Sequence, residues 1–194
     1  MPVRLNGSSS GFVELAAPAV AGSTTLELPT DSIKPGLVLL AQESFSAVSS
    51  VSVDSVFSAE YDNYKVVFRG NASTTLGLRI RFRAAGTDAA GATEYREQRM
   101  YLYGSATVNG TYNTSSFIGL NSLFASSYGA VALDISGPFL AQTTSVMGLA
   151  SSDTWAGYIG SVNGTGSSFD GITFLSSSGT FTGSLSIYGY RKVL

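Results

Sequence analysis

The residue types that could do chemistry in this chain are chiefly arginine and tyrosine, because cysteine and histidine are both absent. Arg79, Arg81 and Arg83 alternate with apolar residues along one predicted strand, which places three guanidinium groups on one face, roughly 7 Å apart. Such a row can bind a phosphate, a sialic acid or an acidic protein surface. Alternatively, it forms the solvent face of the strand and is balanced across the sheet by Glu94 or Glu97.

Aromatic side chains in the second half of the chain form another candidate contact surface for a sugar or a protein. Tyrosine gives a large contact area at low entropic cost and is enriched at interfaces. Trp155, the only tryptophan, can be an exposed anchor or the centre of the core, and the sequence leaves both open. Together with the three arginines, the predicted binding residues are Tyr101, Tyr103, Trp155 and Tyr158.

Catalysis has little support in the sequence. Residues 7–11 match the G-x-S-x-G pattern of a serine nucleophile, but the chain has no histidine base and this stretch is a Ser/Gly-rich loop. Asp134, Asp153 and Asp170 are the only charged residues between positions 101 and 190, and isolated acids of this kind are common in turns. We therefore predict a non-enzymatic protein with no catalytic residue, no metal and no cofactor.

The composition argues for a protein that works through contacts. The net charge of −2 opposes nucleic-acid binding, which usually needs a basic excess. No apolar run is long enough to cross a membrane, and the first residues lack a signal-peptide pattern, so we expect cytoplasmic synthesis without export or membrane insertion. Only 12% of the residues are charged, and a surface rich in Ser, Thr and Gly suits a protein held in an assembly.

Alternation with a period of two residues dominates the chain from Phe45 onward. The clearest example is the run from Leu76 to Phe82, in which apolar residues alternate with Gly77 and two arginines. Helical periodicity is absent, and Gly/Ser-rich turns separate many short strands. This pattern predicts an all-β fold, an antiparallel β-sandwich of the jelly-roll kind.

The first part of the chain differs from the rest. Residues 1–43 consist of short apolar pieces separated by proline and glycine, and such pieces are too small to bury a core alone. We therefore predict an irregular or β-structured N-terminal docking segment over residues 1–43, followed by the β-sandwich domain over residues 44–194.

Two stretches carry a resemblance to a known class of protein. Residues 57–86 contain a Y-x-x-Y strand opening, Tyr61 to Tyr64, followed by the arginine-bearing strand, and residues 171–191 contain a Gly-Ser turn and a closing strand that ends in Tyr-Gly-Tyr-Arg. Together they resemble β-sandwich modules of tail-fibre and other virion structural proteins of tailed bacteriophages. Residues 13–29 are similar to short repeats that begin many marine phage fibre proteins.

The resemblance implies a tail-fibre-like structural protein that forms a homotrimer and resides in the virion after assembly in the host cytoplasm. Residues 1–43 would dock onto other virion proteins, and the sandwich would recognise a host cell-surface glycan. Extended shaft repeats are absent, so a capsid-decorating or cement protein with a purely structural role stays open as the alternative. A glycan depolymerase is a third hypothesis, which requires two facing carboxylates.

Overall fold

The computed structural model divides the chain into two compact units, Met1–Lys34 and Pro35–Leu194. The structure describes residues 3–6, 12–15, 36–103, 109–125 and 127–192. In the first unit, the described residues form an antiparallel pair of strands, β1 (Val3–Asn6) and β2 (Phe12–Leu15).

The described part of the second unit consists of strands and their connections. Its strands are β3 (Leu37–Val48), β4 (Ser50–Val53), β5 (Asn63–Ala72), β6 (Leu76–Ala84), β7 (Thr87–Asp88), β8 (Tyr95–Tyr103), β9 (Asn109–Ser115), β10 (Ile118–Leu123), β11 (Gly129–Ser136), β12 (Thr144–Ser151), β13 (Trp155–Asn163), β14 (Gly171–Ser176) and β15 (Phe181–Tyr190).

These strands form two antiparallel sheets. The larger sheet has eight strands in the order β3-β15-β5-β11-β12-β13-β8-β9, and the smaller has the order β10-β6-β14-β4, with β7 paired to β6. The described residues contain no helix. The predicted all-β antiparallel sandwich is confirmed.

The core lies between the two sheets, and alternation determines which residues enter it. In β6 the side chains of Leu76, Leu78, Ile80 and Phe82 are buried, whereas the residues between them face outward. Aromatic rings join the sheets, since Phe68 of β5 stacks on Phe174 of β14 with ring centroids 5.5 Å apart. Stacked rings of this kind add to the stability gained from burying their area.

The boundary predicted after residue 43 falls inside strand β3. This strand pairs with β15 on both sides of the boundary, through Glu43 with Leu185 and Ser44 with Ser184. The compact unit therefore includes residues from Pro35 onward.

Candidate functional site

Arg83 is held by carboxylates on the outer side of the small sheet. Its Nε lies 2.6 Å from Oδ1 of Asp54 and its Nη1 lies 2.5 Å from Oδ1 of Asp88, while only 13% of its side chain is exposed. The hydrogen bond to Asp54, with that to Asp88, raises the pKa of the Arg83 guanidinium despite burial. This group is neutralised within the fold and stabilises the packing of the strands that surround it.

The other two predicted arginines differ from Arg83. Arg81 donates from Nε to the Ser116 carbonyl at 2.9 Å. The Arg79 guanidinium lies 4.0 Å from the centre of the Phe117 ring, and among the described residues no carboxylate lies within 4.0 Å of it. Burial, followed by the neighbouring charge of Arg81, lowers the pKa of Arg79.

The acids that balance the arginines are not the Glu94 or Glu97 that the sequence predicts. Asp88 lies near both Arg81 and Arg83, and Asp54 pairs with Arg83, whereas Glu94 and Glu97 form no ion pair with the three arginines in the described part of the chain. The arginine row is thus partly a structural network, and Arg79 is the member that has no carboxylate within 4.0 Å among the described residues.

The predicted aromatic residues occupy two faces of the large sheet. Trp155 is 6% exposed and belongs to the core, where it stacks on Tyr101 with ring centroids 5.6 Å apart. Tyr103 pairs through its backbone with Trp155, and its side chain lies outside the described part of the structure. Tyr158 is exposed on the opposite face. Tyr101 and Tyr158 both line one depression of the large sheet, but the predicted binding residues as a set do not come together in one site.

The outward face of the large sheet carries a row of apolar residues that cross-strand pairing aligns. Ala132 of β11 pairs with Val67 of β5 and with Leu149 of β12, Leu149 pairs with Tyr158 of β13, and Tyr158 pairs with Met100 of β8. Leu149 is 66% exposed and Met100 is 55% exposed. The row spans five neighbouring strands and carries no charge.

Exposed neighbours widen this row into a surface that we call the outer apolar face, which consists of the five row residues with Met147 and Leu102. A shallow depression of about 620 Å³ lies on it, and a second of about 850 Å³, lined in part by Arg96 and Gln98, adjoins it; the two share Met100 and Tyr158. Large exposed apolar patches mark interaction sites in soluble proteins.

Charged side chains lie beside the outer apolar face. Lys65 and Asp134 form an ion pair at 2.9 Å in the cross-strand row adjoining it, and Arg69 covers the Tyr128 ring at 4.3 Å. An apolar centre with polar groups around it is the usual anatomy of a protein interface.

Sequence reasoning found Tyr158 but missed the rest of the outer apolar face. A signal was present in strand β12, because apolar residues occupy both of its faces. These residues are Val146, Met147, Leu149 and Ala150. Strands that are apolar on both faces are typical of sheets covered on both sides. Alternation by itself predicts only one buried face for each strand, so it gives no reason to expect that the opposite face is also covered.

The isolated acids are not assembled into a metal site. Asp134 pairs with Lys65 and accepts a hydrogen bond from the Tyr190 hydroxyl at 2.8 Å, and Asp170 accepts one from the Ala85 amide at 3.2 Å. Across the described ranges, no group of three acidic side chains is arranged to hold a metal ion. No helix within those ranges is long and apolar enough to span a membrane.

Comparisons of the chain with protein-family models, with curated proteins and with solved structures give no significant match.

Proposed function

We propose that this chain is a non-enzymatic structural protein of a bacteriophage particle, of the tail-fibre type, which works through its contact surfaces. The observation that supports this proposal is the outer apolar face, an uncharged row across five strands of a β-sandwich. Exposed apolar surface costs about 25 cal/mol per Å² relative to burial, so a partner that covers the face is strongly favoured.

The partner in this proposal is another copy of the same chain. Three copies can bring this face together around a threefold axis, where each copy contacts both of its neighbours without burying an unpaired charge.

The size of the face fits this role. Its six larger side chains are between 40% and 66% exposed. They would offer on the order of 500 Å² of apolar area, taking about 150–200 Å² for a fully exposed side chain of this size. One side of a standard interface buries about 800 Å², so the face could supply its apolar centre.

In the proposed particle, sister copies join through the outer apolar face into a homotrimer, as the sequence resemblance implies. Residues 1–43 dock onto other virion proteins, and the sandwich is displayed for recognition of a host-surface glycan. Labelling of particles with an antibody against the sandwich tests where the protein lies in the particle. Labelling of the tail supports the fibre role, and labelling of the head would instead favour a capsid-decorating protein.

Light scattering on the full chain tests the assembly step. We expect a mass of three chains for the wild type, and a shift toward the monomer for Leu149→Lys because a lysine charge would be buried in the contact. A cost of about 2–3 kcal/mol corresponds to roughly 100-fold weaker association.

The matched control for Leu149→Lys is Leu140→Lys, a substitution at an exposed leucine between β11 and β12, outside the outer apolar face. The control should keep the wild-type mass, and circular dichroism should show that both variants fold. A wild-type chain that stays monomeric at tens of micromolar would contradict the proposal.

A further inference from the structure

A polar cleft of about 420 Å³ is lined by residues of β6, β8, β9 and β10, on a part of the molecule distinct from the outer apolar face. Its size lies within the range of roughly 300–1,000 Å³ that is usual for small-molecule sites. The residues that give it its chemistry are Arg79, Glu97, Arg99, Asn113 and Phe117.

A fixed carboxylate lies in the polar cleft. Only 3% of the Glu97 side chain is exposed. Its Oε2 accepts a hydrogen bond from the Gly119 amide at 2.6 Å, and its Oε1 accepts one from Nδ2 of Asn113 at 3.2 Å. Arg99 pairs with the same Oε1 through Nη2, also at 3.2 Å. These contacts hold the carboxylate in one orientation, and Oε2 keeps one lone pair for a further donor.

The cations in the polar cleft outnumber this carboxylate. Arg79 lies over the Phe117 ring at 4.0 Å and has no carboxylate within 4.0 Å in the described residues, and Arg99 forms an ion pair with Glu97. Nε of Arg99 is buried and has no hydrogen-bond partner among the residues that the structure describes. Two guanidinium groups and one carboxylate leave a net positive charge, which suits a ligand with a single negative charge.

We infer that the polar cleft binds a carboxylated sugar, such as a uronic acid unit of a glycan. The planar guanidinium of Arg79 matches the two oxygens of a carboxylate, and Glu97 and Asn113 match the hydroxyl groups of a sugar ring. A dianionic phosphate fits less well, because Glu97 would repel its second charge. This inference rests on the recognition part of the proposed function and names its ligand class.

Copy number would amplify a weak site of this kind. A single cleft that binds one sugar unit with millimolar affinity becomes useful when several copies engage one polysaccharide, because each later contact is intramolecular. A monosaccharide occupies one cleft at a time and therefore measures the affinity of a single site.

Titration of the full-length chain with sodium glucuronate, followed by nuclear magnetic resonance, tests the inference. We expect millimolar binding of glucuronate, and at least tenfold weaker binding of glucose and of inorganic phosphate. Arg79→Gln should weaken glucuronate binding at least tenfold, and its fold should survive because Arg79 makes no ion pair among the described residues. The matched control is Arg96→Gln, at an exposed arginine on the other face of β8, and should bind as the wild type does.

Equal affinity for glucose and glucuronate, tighter binding of phosphate, or undiminished binding by Arg79→Gln would each overturn the inference. Light scattering on the same samples separates this outcome from failure of the assembly proposal. Trimers that do not bind glucuronate refute the cleft alone, and monomers that bind it refute assembly alone.

Discussion

The hydroxyl of Tyr95 is buried, and we expect it to make the stability of the fold depend on pH in the alkaline range. The side chain is fully buried, and its hydroxyl accepts a hydrogen bond from the Phe82 amide at 2.9 Å and donates one to the Ala89 carbonyl at 3.0 Å. Burial raises the pKa of Tyr95 from 10.0 to about 12, because ionisation would place a charge in the core. We predict that Tyr95→Phe removes a pH-dependent part of the free energy of unfolding.

The free energy of unfolding should fall as the pH rises, because the unfolded chain loses the Tyr95 proton at lower pH than the folded chain does. Below pH 10 both the folded and the unfolded chain keep this proton, so the contribution of Tyr95 to stability is fully present there. Between pH 10 and about 12 the unfolded chain ionises while the folded chain does not, and the stabilisation is lost through that window. The loss is about 1.4 kcal/mol by pH 11 and roughly 2.7 kcal/mol in full.

The substitution itself has an opposing cost. Tyr95→Phe leaves the Phe82 amide and the Ala89 carbonyl without this hydroxyl partner, at a cost of about 1 kcal/mol. The wild type should therefore be about 1 kcal/mol more stable at pH 8, and this advantage should vanish near pH 11.

Urea unfolding followed by circular dichroism, at one protein concentration and at pH 8, 9, 10 and 11, measures this difference. The control is Tyr112→Phe, at a side chain that is 63% exposed, and its curve should follow the wild type across the range. A constant difference between the wild type and Tyr95→Phe from pH 8 to 11 would refute the argument.

Two further substitutions test the structural network and the core. Arg83→Met should lower the free energy of unfolding by about 2–3 kcal/mol in urea titrations, because it leaves the half-exposed Asp54 without its cation and leaves Asp88 with only the longer, 3.9 Å contact to Arg81; an unchanged midpoint would contradict the assigned network. Phe68→Ala should cost about 3–5 kcal/mol, since it removes the ring that stacks on Phe174 between the sheets, and a fall in the thermal midpoint of less than 3 °C would contradict that role.

Alternation was sufficient to predict the class of fold. In β6 every second residue from Leu76 to Phe82 is buried, as expected for a strand with one face toward a core. An Asn-Gly pair is a tight-turn signal in a sequence, and the pair at Asn163 fits this expectation because β13 ends there. The pair at Asn109 instead begins strand β9. Local turn signals lose to strand pairing when a neighbouring strand supplies the hydrogen bonds.

The ion pairs of the arginine row could not be predicted, because they depend on which strands become neighbours. Asp54 follows β4, which is far from β6 in the chain, and β14 lies between these two strands in the small sheet. Asp88 reaches Arg83 because β7 pairs back onto β6. A sequence without the strand order offers many acids as partners and no means of choosing among them.

Strand β8 shows why the two proposed surfaces can operate together. Along this strand Glu97 and Tyr101 point inward, whereas Met100 and Leu102 point outward and are about half exposed. Because successive side chains of a strand point to opposite faces, Met100 can be covered by a sister copy while Glu97 stays in the polar cleft. Assembly through the outer apolar face would then leave each polar cleft accessible, which multivalent binding of a glycan requires.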